Sequence, residues 1–298
     1  MRGTVALLLL LGVAALWLAL RPAPALQPPP ALCSELRAAR VDAVAAALPG
    51  GDVLVAGGFN GSGYLASAEL YHPRSQRFTS LSSRLVTPQD RAVAAALPGG
   101  RVLIAGGGAA SGYLASAELY HPRSQRFTSL SSRLVTPQDR AVAAALPGGR
   151  VLIAGGFNDS GPPLALAERF SARDRRFFRL AASLLQASAS AVAAPLSGGR
   201  VLIAGGQSAS GRPLRSAELY LPSGAFVPTG SMAVARVGAV AAPLPGGKVL
   251  VAGGYDAAGR PLRSAELYLP SGAFVPLDPV GCSRPAGLPA AAGASPGL

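Results

Sequence analysis

Short apolar runs broken by glycine and proline turns set the rhythm of this chain. Residues 92–97 are small and apolar, Pro98-Gly99-Gly100 reads as a turn, and Val102-Leu103-Ile104-Ala105 is a second apolar run ended by a glycine pair. A polar loop to Gly112 leads into Ala117-Glu118-Leu119-Tyr120, residues 121–125 read as another turn, and Arg126-Phe127-Thr128 forms a fourth run. Four short runs separated by such breakers predict a four-stranded antiparallel meander. The runs are too short and too interrupted for helices.

The same pattern returns along the chain. Glycine pairs fall at Gly57-Gly58, Gly106-Gly107, Gly155-Gly156, Gly205-Gly206 and Gly253-Gly254, in steps of 49, 49, 50 and 48 residues. Periods of this size mark a stack of similar supersecondary units, and a meander repeated radially is a β-propeller blade. The units run at about 40–88, 89–137, 138–187, 188–235 and 236–278. Residues 62–107 and 111–156 are identical over 46 positions. Packing tolerates many similar side chains, so this identity points to a recent duplication or to an error in gene assembly.

A turn with glycine, VLxAGG, a polar loop, AExY, a proline turn and an aromatic together resemble the bacterial kelch repeat. The likeness covers residues 40–278. It implies an all-β, kelch-type β-propeller of five four-stranded blades, the architecture shared with galactose oxidase. Three departures stand out. The family's first-strand histidine is Ala43, Ala92, Ala141, Ala191 and Ala239, and its fourth-strand tryptophan is Phe78, Phe127, Phe177, Phe226 and Phe274. Five units are also fewer than is usual for the family, which leaves ring closure open.

Composition adds a basic character. The formal net charge is +13, with Lys248 the single lysine among 27 basic residues. The excess of Ala, Gly and Pro favours codon bias as the source, although acidic polymers are expected to associate at low salt. Arg2, the apolar run Val5 to Leu20 and the small-residue site Ala23-Pro24-Ala25 have the order of a secretory signal at residues 1–25. The segment reads as a cleaved signal or an uncleaved anchor, which would be the only membrane contact. A proline-rich linker (26–39) and an aperiodic tail (279–298) flank the units; the tail is expected to be disordered. The protein is therefore expected to be secreted, periplasmic or on the cell surface.

Candidate chemistry is sparse. The glycine pairs have the look of phosphate loops, but those open a helix; here they end packed strands. Glu69, Glu118, Glu168, Glu218 and Glu266 recur once per unit, whereas catalytic carboxylates come as one or two residues in distinct environments. They are expected to be structural charges paired with an arginine or a backbone N–H in their own blade. His72 and His121 are copies of one turn position, and no His/Cys cluster supplies a metal site such as galactose oxidase's copper. No cofactor or catalytic motif is indicated.

Cys33 and Cys282 bracket the units. In an oxidising compartment two thiols tend to pair, and a closed propeller would bring these flanks together, so they are a possible disulfide clasp. Two free or separately paired thiols are the alternative.

Meander topology sorts the loops onto two faces. One collects Arg74, Arg77, Arg101, Arg123, Arg126, Arg150, Arg173, Arg175, Arg176, Arg200 and Lys248. The other carries the loops after the glycine pairs, where the units vary most: Phe59, Asn60, Phe157, Asn158, Asp159, Gln207, Tyr255 and Asp256. Such loops have the composition of a carbohydrate or peptide surface. The reading is an exported, non-catalytic binding or scaffold module for protein or carbohydrate, with anionic surface polymers as further partners. The alternative is an extracytoplasmic sugar-acting propeller enzyme with catalytic groups in the central funnel. Nucleic acid fits poorly, because few aromatics are interleaved with the arginines.

Overall fold

A computed structural model describes residues 35–277. The leader, Cys33, Cys282 and the tail lie outside the described residues, and with them the signal, anchor and disulfide expectations. The rest is all β. Blade 1 comprises β1 (Val44–Ala47), β2 (Val53–Ala56), β3 (Ala68–His72) and β4 (Arg77–Ser80). Blade 2 comprises β5 (Val93–Ala96), β6 (Val102–Ala105), a small hairpin β7 (Gly108–Ala109) and β8 (Gly112–Tyr113), then β9 (Ala117–His121) and β10 (Arg126–Ser129). Blade 3 has β11 (Val142–Leu146), β12 (Arg150–Ala154), β13 (Ala167–Ser171) and β14 (Arg176–Arg179). Blade 4 has β15 (Val192–Pro195), β16 (Val201–Ala204), β17 (Ala217–Tyr220) and β18 (Phe226–Pro228). Blade 5 has β19 (Val240–Leu244), β20 (Lys248–Ala252), β21 (Ala265–Tyr268) and β22 (Phe274–Leu277).

Each blade is a four-stranded antiparallel meander, and the five are arranged as a propeller. The VLxA strands are buried on both faces because blades cover them from either side. Val102, Leu103, Ile104 and Ala105 are all at most 1% exposed. Each core lies between two blades. Val44, Leu54 and Leu70 of blade 1 pack with Val102, Ile104, Tyr120 and Phe127 of blade 2, and the arrangement repeats down the chain. The fourth-strand phenylalanines meet a third-strand aromatic across the ladder, as Tyr120 and Phe127 do at 5.0 Å between ring centroids.

The two end blades break this regularity. Val44, Val93, Val142 and Val192 open the inner strands at 7–8% exposure, but their counterpart Val240 is 69% exposed. On blade 1 the mirror effect appears. Val53, Val55 and Tyr71 are partly exposed, where their counterparts Val102, Ile104 and Tyr120 are sealed. The inner strands β1, β5, β11, β15 and β19 contact one another in succession, with no comparable contact between β19 and β1. Blades 1 and 5 each present an apolar sheet face that every internal junction buries.

The inner strands surround a channel space of about 270 Å³, lined by alanines such as Ala92, Ala141, Ala191 and Ala239. Where the family resemblance implies histidine, this channel carries methyl groups.

Candidate functional site

The glycine pairs earn their place through close approach. Gly106 has φ +68°, and a Cβ there would lie 2.5 Å from the carbonyl oxygen of Gln138 in the crossover to the next blade. The neighbouring Gly107 N–H donates to that same oxygen at 2.7 Å. Equivalent bonds run from Gly58 to Gln89, Gly156 to Ser188 and Gly206 to Arg236. The pairs thus dock each crossover on the blade before it, and they hold no anion-binding loop.

The five glutamates are buried, at 0–7% exposure. Glu118 accepts from the N–H groups of Val86 and Thr87, and Glu168 from those of Val135 and Thr136. These donors lie in the crossover from the preceding unit, not in the carboxylate's own blade, because the carboxylate fastens the entering chain. Burial pushes the Glu118 and Glu168 carboxyls up, against the pull of those N–H groups. Glu69 also suffers burial, but the N–H of Arg37 and the guanidinium of Arg40 outweigh it and hold its carboxyl below the ordinary value. Arg40 and Arg236 form buried ion pairs with Glu69 and Glu266 at 2.8 and 2.9 Å.

The antiparallel order puts the β1–β2 and β3–β4 turns, with the arginine-rich set, on one face and the post-glycine loops on the other. On the second face, one residue of each crossover bridges the first residue after a glycine pair: Val41 to Phe59, Asp90 to Gly108, Asp139 to Phe157, Ala189 to Gln207 and Val237 to Tyr255. Phe59, Phe157, Gln207 and Tyr255 therefore occupy equivalent places on this face, one per blade.

Several polar candidates are engaged within their own loops. Asn60 Oδ1 accepts from the N–H groups of Ser62 and Gly63, and Asn158 Oδ1 from Ser160. Gln207 donates to the Gly211 carbonyl at 3.2 Å. Asp256 accepts from the Arg260 and Ala258 N–H groups and pairs with the Arg260 side chain; the Arg260 N–H leads in holding its carboxyl below the ordinary value. Asp159 is exposed. The aromatic members remain available for contact. Tyr255 is 46% exposed, and Phe59 stands edge-on to Tyr64 at 5.5 Å. That pair walls a cleft of about 470 Å³ between the loops of blades 1 and 2, closed on the far side by Ala109 and Ala110.

Sequence reasoning missed a charged cluster beside this cleft. Asp90 and Asp139 are 4% and 1% exposed and share Arg91, whose Nε lies 3.0 Å from Asp90 and whose Nη1 lies 3.6 Å from Asp139. Arg140 approaches Asp139 at 3.8 Å. Burial lifts the Asp139 carboxyl to about 6, against the opposing charges of Arg91 and Arg140 and with added repulsion from Asp90. Blade 2 has Gly108 where other blades carry a side chain, and a Cβ there would sit 2.9 Å from Asp90 Oδ1. The missing signal was positional: only alignment of the crossovers puts Asp90 and Asp139 beside the post-glycine loops.

Among the described residues no group of three or more His, Cys, Asp or Glu side chains gathers. His72 and His121, expected in turns, are the last residues of β3 and β9 and bond Thr79 and Thr128 of the neighbouring strands.

Comparison with known proteins agrees with this architecture. A family model described as the kelch motif matches residues 42–84. A solved structure titled "Structure of YjhT" superimposes with a TM-score of 0.69 at 15% identity, covering 80% of this chain and 84% of that one. No curated protein sequence matches the chain.

Proposed function

For this kelch-repeat β-propeller we propose a non-catalytic binding module that takes a segment of a protein ligand, or a carbohydrate, on its post-glycine face. The observation that carries the reading is the Phe59–Tyr64 cleft, an aromatic-walled groove beside a charged cluster. Aromatic side chains with a polar rim concentrate binding energy at interfaces. Kelch propellers in general bind proteins, so a protein segment is the favoured occupant. The secretory order of the leader supports action outside the cytoplasm, where the arginine-rich face would draw in anionic surface polymers.

The test is binding of displayed peptide and glycan libraries to the purified chain, repeated with Phe59→Ala and Tyr64→Ala. Saturable binding that both changes weaken about tenfold or more, with the fold retained, supports the reading. Binding indifferent to both changes overturns it.

A second reading, catalysis at the Asp90–Arg91–Asp139 cluster, draws on Asp139, whose raised carboxyl sits beside Arg91. Groups perturbed this way concentrate at functional sites. Turnover of a sugar substrate that Asp139→Asn abolishes would favour it over simple binding.

A further inference from the structure

Two blades seat an arginine side chain in a cradle of four acceptors. Arg40 Nη1 donates to the carbonyls of Gly57 and Ser67 at 2.7 and 3.0 Å. Its Nη2 donates to Ser67 Oγ and Glu69 Oε1 at 3.2 and 2.8 Å. Arg236 repeats the pattern with Gly253, Ser264 and Glu266, at 2.9, 3.0, 3.3 and 2.9 Å. The two guanidiniums are held by the same atoms of the same repeat positions.

Blade 4 keeps the cradle and lacks the arginine. Gly205, Ser216 and Glu218 stand at the three acceptor positions, and the crossover residue facing them is Ser188. Serine is too short to fill the space. What remains is a cavity of about 200 Å³ whose lining includes Gly205, Ser216, Glu218, Ser188, Ile203 and Leu214. Gln186, an exposed residue at its wall, accepts from the Ser216 hydroxyl at 2.7 Å, which leaves the lone pairs of Ser216 Oγ to accept from a ligand. Glu218 is 7% exposed, and its Oε2 accepts the Leu185 N–H at 2.8 Å. In blades 2 and 3 both Glu118 and Glu168 receive a second crossover N–H. Glu218 has only the one, on Oε2, and it lines the cavity at the repeat position where Glu69 and Glu266 meet arginine.

We propose that this cavity is a receptor for a guanidinium group, supplied by an arginine side chain of a partner or by a small free guanidine. The planar fork of a guanidinium matches acceptors set in two directions, and a compact ammonium does not. The apolar wall of Ile203 and Leu214 suits the methylene stem. The site lies in blade 4, away from the Phe59–Tyr64 cleft, and stands or falls independently of that cleft.

The experiment is calorimetric titration of the purified chain with n-propylguanidine and, separately, n-propylamine, which has the same stem. Saturable one-to-one binding of the guanidine, about 10- to 100-fold tighter than the amine, is expected. Ser188→Arg should supply the missing side chain in cis, raise the unfolding temperature and abolish binding. Glu218→Gln should weaken binding about 10- to 100-fold while circular dichroism shows the fold retained. An acetylated arginine amide separates the sources: its binding assigns a protein side chain, and binding of propylguanidine alone assigns a free small guanidine. No saturable binding, equal binding of amine and guanidine, or binding undiminished in Ser188→Arg overturns the proposal.

Discussion

Arg236 donates to Glu266 at 2.9 Å with both side chains about 1% exposed, and the carboxylate also receives the N–H groups of Ala233 and Val234. The pair fastens the crossover into blade 5. Removing one member of a buried ion pair strands the other, at a cost of about 3–5 kcal/mol. Arg236→Met should cost that much in urea unfolding. Arg236→Gln should cost only about 1–3 kcal/mol, since blades 2 and 3 carry Gln89 and Gln138 at this position beside equally buried glutamates. Equal losses would show that the charge, which both substitutions remove, and not the hydrogen bonding that glutamine keeps, is what the arginine supplies.

The glycine pairs make a second prediction. Alanine at Gly106 meets two penalties: the left-handed backbone at φ +68° and a Cβ 2.5 Å from the Gln138 carbonyl oxygen. Strain alone is worth about 1–2 kcal/mol, and displacing the crossover should bring the total to about 3–5 kcal/mol. Gly198→Ala isolates the first penalty, since Gly198 has φ +71° with nothing within 4 Å of the added Cβ. It should cost about 1–2 kcal/mol. Chemical denaturation of the two variants side by side checks the difference; equal losses would dismiss the close approach.

Asp139 sets a pH dependence of stated sign. An ordinary unfolded aspartate titrates near 3.9, and in the fold this carboxyl holds its proton up to about 6. The folded state therefore binds more protons between these values, and stability falls as pH rises through that window. Above about 6 this contribution is flat. Glu118, Glu168 and Glu218, also raised by burial, add the same sign, and Glu69, held low, opposes it. Urea midpoints at pH 4.5 and 7 should differ more in the native sequence than in Asp139→Asn. An unchanged difference would remove Asp139 as a source.

What the sequence made legible was whatever repeats. The spacing of the glycine pairs and the four apolar runs suffice for five four-stranded blades, because each run has one periodicity and each turn its own breakers. The glutamates were legible as structural, and Glu69 and Glu266 do pair with arginines of their own units, Arg40 and Arg236. The donors to Glu118 and Glu168 were not legible, since they lie 31–33 residues earlier in the chain. The contact surface was less legible still. Asn60, Gln207 and Asp256 have the composition of a binding surface, yet they bond their own loops. The charged cluster escaped notice because Asp90 and Asp139 look like turn residues until the crossovers are aligned. Ser188 is the sharpest case: a small residue in a variable turn acquires meaning only beside Arg40 and Arg236.

The identical segments offer a test in which local sequence is held constant. Tyr71 and Tyr120 occupy the same place in the two copies, each against its own phenylalanine, at 4.9 and 5.0 Å. Their neighbours differ. Tyr120 is fully buried because blade 1 lies against it, with Val44, Leu54 and Leu70 in the same core. Tyr71 lies on the open face of blade 1 and is partly exposed. Truncating a buried aromatic costs about 3–5 kcal/mol, so Tyr120→Ala should fall in that range. Tyr71→Ala should cost less by roughly 1 kcal/mol or more, in proportion to the smaller area it keeps from water. Unfolding measured at low protein concentration reads the intrinsic difference. Equal losses would mean that the face of blade 1 is covered in solution as fully as the internal junctions are, and the two end blades would then have to be in contact with something.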